Sequence, residues 1–139
     1  MLLSLGFGVL VLALVLVVAS ASAVHIERKR LLALADAAAA DAADAMDVAA
    51  YYAAEGSPAT RVPLSDASVD AAVRDHLAAA PMVTAQFDDL RVAEPTGTPD
   101  GTTAQVTLTA VARPSLVPWA LVPWADGVGL RVTASARAG

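Results

Sequence analysis

The chain has 139 residues, of which 57% are hydrophobic, and its formal net charge at pH 7 is -5. An acidic chain of this length has room for one small domain and lacks a basic surface for nucleic acid, so we expect no nucleic-acid partner. Because the sequence contains no cysteine, disulfides, thiolate metal sites and a cysteine nucleophile are excluded.

Residues 1–24 carry no charged side chain and consist mostly of Leu, Val, Ala and Gly. As a helix, this segment would reach about 34 Å, enough to cross a hydrocarbon core of about 30 Å, and we predict a transmembrane helix. A cleaved signal peptide is the alternative, because Ala19, Ala21 and Ala23 have the small-residue spacing that signal peptidase accepts before Val24. The apolar run exceeds the roughly 7–15 residues usual for signals and has no basic residues before it, which favours an uncleaved anchor.

Arg28, Lys29 and Arg30, which we call the basic cluster, directly follow the predicted span. Basic residues beside a span favour the cytoplasmic side of the membrane. This rule therefore favours an internal location for the rest of the chain.

Helix-forming residues continue through an alanine-rich stalk, residues 25–55, with no Gly or Pro before Gly56. We therefore predict that span and stalk form one long helix. Apolar stalk residues recur at spacings of four and three, and their small size allows a neighbouring helix or sheet to approach closely. Asp36, Asp44 and Asp47, with Asp41 at the margin, project from the other side and are interpreted as a solvated face. We call the packing face the alanine seam; its residues are Leu31, Ala35, Ala38, Ala42, Ala45 and Ala49.

The apolar span, the sequence Glu27-Arg28-Lys29-Arg30 and the alanine-rich run from Leu31 to Ala43 resemble the TadE/TadG-like proteins of actinobacteria. The resemblance implies a pilin-like fold and a role as a minor pseudopilin-like component of a tight-adherence, Flp-type pilus or secretion assembly. It also implies that the partners are membrane lipid and other pilin-like or secretion-system membrane proteins. It favours a domain outside the cytoplasm, and we expect this orientation over that of the charge rule. Some members are cut by prepilin peptidase after a glycine followed five residues later by glutamate; neither Gly6 nor Gly8 has that glutamate, so we expect no such cleavage.

Residues 56–139 are predicted to form a small domain, which makes the whole chain α+β. Ser65 or Ser68 can cap a short helix that runs to about Ala80, where Pro81 closes it. His76 lies beside the apolar stripe of this helix, and we interpret it as a rim or packing residue rather than a metal ligand.

Three antiparallel strands are predicted after the short helix. Alternation with a period of two indicates strands over residues 103–112 and 128–137, each with one buried and one mostly exposed face. An earlier, weaker strand is predicted over residues 86–94, where Phe87 and Leu90 fall on opposite faces unless a bulge intervenes. Residues 95–101 are predicted to be a hairpin loop. The apolar face of this sheet needs a cover, for which the short helix and the alanine seam are available.

The connector between the last two strands contains the sequence Leu-Val-Pro-Trp-Ala twice in succession, at residues 116–120 and 121–125. Its prolines exclude a regular helix or a central strand. Two interpretations remain open: an exposed apolar loop that docks on a partner or at the bilayer interface, and a loop folded over the open end of the sheet. The candidate contact residues are Leu116, Pro118, Trp119, Leu121, Pro123 and Trp124.

The sequence contains no phosphate-binding loop, nucleophile elbow or paired metal ligands. Asp88 and Asp89 are adjacent on a predicted strand, where they would point to opposite faces. We therefore expect a non-enzymatic protein without a cofactor, a metal or a small-molecule substrate. The alternative to a pilus component is a membrane-tethered or secreted binding module that uses the repeated segment to recognise a ligand.

Overall fold

A computed structural model of the chain describes residues 1–45, 52, 64–113 and 127–138. It contains a long N-terminal helix, a short helix and a three-stranded antiparallel sheet, so the predicted α+β class is confirmed. In chain order the elements are α1 (Leu2–Asp44), α2 (Asp66–Ala79), α3 (Pro81–Thr84), β1 (Asp88–Gly97), β2 (Thr103–Ala112) and β3 (Val128–Arg137).

Helix α1 joins the predicted span to the stalk without interruption over 43 residues. It ends at Asp44, which is earlier than the sequence indicates. The next residue, Ala45, has an extended conformation with ψ of 107°. The last buried residue of α1 is Ala43, so the helix ends where its protein cover ends. Helix propensity alone favours continuation to residue 55, but packing overrides such weak preferences. Beyond Ala45, the predicted stalk lies outside the described residues except for Tyr52, which is helical.

Helix α2 begins with a capping box, in which Ser65, one of the two candidate caps, is the N-cap and Ser68 is the third helical residue. Ser65 Oγ accepts a hydrogen bond from the Ser68 backbone N–H at 3.1 Å, and Ser68 Oγ accepts one from the Ser65 N–H at 3.0 Å. Pro81 does not end the helical region, since it becomes the first residue of the one-turn helix α3.

The sheet has the order β1-β2-β3, with β2 at its centre. Strand β3 pairs with β2 in unbroken register from Thr103↔Arg137 to Ala112↔Val128. Its buried residues alternate as predicted at Leu130, Val132 and Ala134, whereas Val128 at the strand end is 37% exposed.

Strand β1 has two irregularities, between Asp88 and Arg91 and between Ala93 and Gly97. The first is the bulge required to place Phe87 and Leu90 together: Phe87 is buried and Leu90 packs against the core. The hairpin loop was predicted to begin at residue 95, which is wrong, because β1 continues through Pro95 to Gly97. An edge strand accommodates proline because its outer N–H groups need no strand partner.

Thr107 contradicts the prediction that one face of β2 is mostly exposed, because it is fully buried. The segment of β1 that contains the second irregularity, between Ala93 and Gly97, covers Thr107. Thr107 Oγ1 donates a hydrogen bond to the Pro95 carbonyl at 2.7 Å, and the Thr107 backbone N–H donates to Thr96 Oγ1 at 3.1 Å. Since a buried hydroxyl needs hydrogen-bond partners, these contacts make its burial tolerable.

The core lies between the inner face of the sheet and helices α1 and α2. Helix α1 packs on β2 and β3, and α2 packs on α1 and on β1, so the helices lie side by side. Val69 and Val73 of α2 are fully buried. Gly97, with φ of 154°, permits the close approach of α2 to the hairpin, because a Cβ there would collide with Asp66.

We predict that Ala42→Leu destabilises the domain by about 1–3 kcal/mol, because Ala42 has no exposed surface and a larger side chain must separate α1 from its neighbours. The measurement is urea unfolding of the full-length protein in detergent, followed by near-ultraviolet circular dichroism. Ala40→Leu is the control, because Ala40 is exposed on the same helix. Equal stability of the two variants would contradict the tight packing.

We also predict that the β1–β2 hairpin makes a pH-dependent contribution to the free energy of unfolding. The backbone N–H of Thr102, together with the N–H and hydroxyl of Thr103, donates hydrogen bonds to Asp100 and lowers its pKa to about 2. Because the folded pKa is depressed, this stabilisation is complete above the unfolded pKa of about 4 and is lost as pH falls through about 2.

Unfolding measured between pH 5 and pH 2 checks this contribution with Asp100→Asn. The stability difference between wild type and this variant should be constant above about pH 4 and shrink below it. Asp36→Asn is the control, because Asp36 lies on the exposed side of α1 and makes no described hydrogen bond or ion pair. A difference for Asp100→Asn that stays constant down to pH 2 would contradict the role of the carboxylate.

Candidate functional site

The first part of α1 presents an apolar surface that no described part of the protein covers. Its large side chains from Leu2 to Val18 are exposed by between 43% and 89%, except that of Leu16, which is half-buried. By its length and composition, the helix could cross a membrane. The predicted N-terminal span is therefore present as a helix that is compatible with a single-pass anchor.

The protein covers one side of α1 from about Ser20 onward. Ser20 is 7% exposed, and Val24 packs against the core cluster. Ser22 Oγ donates a hydrogen bond to the Val18 carbonyl at 2.9 Å. Ser20 differs, because its hydroxyl is buried and has no hydrogen-bond partner in the described part of the chain. Thus the end of the predicted span is already in contact with protein on one side.

The basic cluster lies on the uncovered sides of α1. Arg28, Lys29 and Arg30 are exposed, whereas Glu27 is half-buried and Leu31 is fully buried. Successive helix residues differ by about 100° around the axis, so three consecutive residues spread over the exposed part of the circumference. None of the described carboxylates forms an ion pair with the cluster.

The alanine seam packs within its own chain. Leu31, Ala35, Ala38 and Ala42 are fully buried against the sheet and α2. Ala45 is half-buried and lies beyond the helix end, so its predicted helical position is wrong, while Ala49 lies outside the described residues. The face is also wider than the seam, and it additionally contains Leu34, Ala39 and Ala43.

The outward face of the same helix segment carries Ala33, Ala37 and Ala40, all exposed, together with Asp36. These residues were not included in the predicted seam. Their spacing of four and three is nevertheless the same as that of the buried alanines. In the described part of the stalk, this outward face is exposed and could contact another protein.

The one contact between ionisable side chains of α1 and α2 in the described part joins Asp41 to His76. The two side chains meet through Asp41 Oδ2 and His76 Nδ1, which links the last turns of both helices. The side chain of His76 is 20% exposed, as expected for a residue at the rim of the helix contact. Asp41 is 61% exposed, so this pair lies at the surface.

The two adjacent aspartates of β1 contact different arginines. Asp88 Oδ2 lies 3.5 Å from Arg113 Nε, and Asp89 Oδ1 lies 2.8 Å from Arg91. Each carboxylate therefore has its own cationic partner at the surface. Within the described ranges, no three His, Asp or Glu residues are grouped so that they could hold a metal ion.

The connector with the repeated Leu-Val-Pro-Trp-Ala sequence lies outside the described residues. Its flanking residues are Arg113 after β2 and Gly127 before β3, at the end of the sheet where β1 begins. Both interpretations of its contact residues therefore stay predictions.

No protein-family model, curated protein or solved structure matches the chain. The resemblance to TadE/TadG-like proteins therefore depends on the quoted sequence features alone.

We predict that Asp41 and His76 are coupled by about 0.2–1 kcal/mol, the range typical of exposed pairs. A double-mutant cycle with Asp41→Asn and His76→Gln measures this energy by urea unfolding at pH 6. The control cycle pairs His76→Gln with Asp44→Asn, because Asp44 is exposed in the same last turn of α1. Equal coupling in both cycles would contradict a specific link.

Proposed function

We propose that this chain is a single-pass, membrane-anchored structural protein whose small α+β domain is held directly at the membrane surface. Its role in this proposal is that of a minor pseudopilin-like component of a Flp/Tad-type pilus or secretion assembly. The domain faces outward from the cytoplasm. The proposal includes no catalytic activity.

The observation that best supports a membrane anchor is the difference in burial between two parts of α1. The side chains of Leu31 and Ala35 have no exposed surface, whereas the large apolar side chains from Leu2 to Val15 are all exposed by at least 43%. A continuous apolar surface of this length in water is very unfavourable, since soluble proteins rarely expose more than a few hundred Å² in one patch. Lipid is the solvent that removes this penalty without further protein contacts.

The helical connection between the apolar segment and the domain supports a structural role. The helix continues from the apolar segment into the domain core, so the domain has a fixed position relative to the span. The same arrangement, a long N-terminal helix packed on an antiparallel sheet, is the one that the TadE/TadG resemblance implies. The exposed stripe of Ala33, Ala37 and Ala40 gives neighbouring helices room for close approach.

The competing function is a binding module that is tethered by the same anchor and recognises a ligand through the connector. It requires no contact between neighbouring copies or between α1 and other membrane proteins. Contacts made by the outward face of α1 therefore distinguish the two functions.

Single-cysteine variants give a direct test, because the natural chain contains no cysteine. We predict that Ala37→Cys, labelled with a crosslinker that carries a maleimide and a photoactivatable diazirine and then irradiated in native membranes, forms adducts with other membrane proteins. The matched variant Ser135→Cys is exposed on the outer face of the sheet and should form fewer adducts. Immunoblotting and mass spectrometry of the adducts measure the difference.

The same variants report anchoring and orientation. The full-length chain should stay in the membrane fraction after carbonate extraction, and a membrane-impermeant maleimide should label Ser135→Cys in intact cells. Release by carbonate would contradict the anchor, and labelling only after cell lysis would contradict the outward orientation. An anchored protein without α1 adducts would contradict the assembly role and favour the binding module.

A further inference from the structure

On the sides of α1 that face away from the domain, the exposed apolar residues of the span end at Ile26, beside exposed His25, and the exposed basic residues begin at Arg28. Ile26 is 51% exposed, and it is followed within two residues by Arg28. No exposed acidic residue lies between them, because Glu27 is half-buried on the domain side. If the apolar segment lies in lipid, the boundary between hydrocarbon and headgroups on these sides falls between Ile26 and the basic cluster.

Helix geometry directs the basic side chains toward that boundary. In an α-helix the Cα–Cβ bonds tilt toward the N-terminus, and long side chains lean back over the preceding turn. The N-terminal direction of α1 leads into the proposed membrane. Arg28, Lys29 and Arg30 can therefore extend their charged ends back to the phosphate layer while their Cα atoms lie above it.

The charge distribution separates the cluster from the rest of the chain. Three of the nine Lys and Arg residues lie in the cluster, while all 14 Asp and Glu residues lie elsewhere. An anionic membrane surface therefore attracts the cluster and repels the domain. Unlike Arg74 and Arg113, which pair with Asp70 and Asp88, the cluster has no described carboxylate partner that would neutralise it.

We infer that the basic cluster is a binding site for the headgroups of anionic phospholipids around the uncovered sides of α1. The site enriches these lipids next to the helix and fixes the depth of α1 in the bilayer. This inference depends on the proposed membrane anchor and adds the lipid class that the anchor selects.

The test uses the full-length protein in nanodiscs that contain equal amounts of phosphatidylcholine and phosphatidylglycerol. Spin-labelled lipids of each type report the fraction immobilised at the protein by electron paramagnetic resonance. We expect at least about a fivefold preference for phosphatidylglycerol in the wild type at low salt, falling as ionic strength rises. The variant R28Q/K29Q/R30Q should lose this preference and still incorporate into the nanodisc.

The control is R74Q/R91Q/R113Q, which removes the same number of charges from exposed domain sites and should keep the preference. Free phosphate at matched ionic strength should reduce the preference no more than sodium chloride does; stronger competition would contradict a site specific for lipid headgroups. Incorporation without any preference, or an equal loss in both triple variants, would overturn the inference. Failure of the wild-type chain to incorporate would instead overturn the anchor, and this site with it.

Discussion

The close contact between the alanine face of α1 and the sheet is the constraint on which the rest of the molecule depends. Ala35, Ala38, Ala39 and Ala42 have no exposed surface, so the helix approaches the strands closely. Small side chains bury little area each, and at about 25 cal/mol per Å² each contributes little hydrophobic stabilisation. The stability of the fold therefore depends on many small contributions, which include the capping box of α2 and the buried hydrogen bonds of Thr107.

This contact also couples the domain to the apolar segment. Because α1 runs unbroken from Leu2 to Asp44, the residues that build the core and the residues that have no protein cover belong to one helix. A hinge between them would require a helix break, and α1 contains no proline. The domain is therefore joined to the apolar segment by continuous helix, which the proposed structural role would require.

Much of this fold could be predicted from the sequence because its local signals agree. The alternating residues of β2 and β3 and the candidate cap Ser65 before α2 each indicated the observed element. The misses occurred where tertiary contacts override local preference. Nothing between Ala45 and Gly56 in the sequence indicates a helix end, and the burial of Thr107 depends on an irregularity in a different strand.

The alanine seam illustrates the limit of sequence reasoning for the candidate site. A periodic small-residue face indicates close packing, but it does not identify the partner, and α1 carries two such faces. The face with Ala38 and Ala42 contacts the sheet, while Ala33, Ala37 and Ala40 are exposed. Any assembly through α1 must use the second face without disturbing the first. Because Asp36 lies on that outward face, a neighbouring helix would have to provide a polar or cationic partner there, or leave the carboxylate in water.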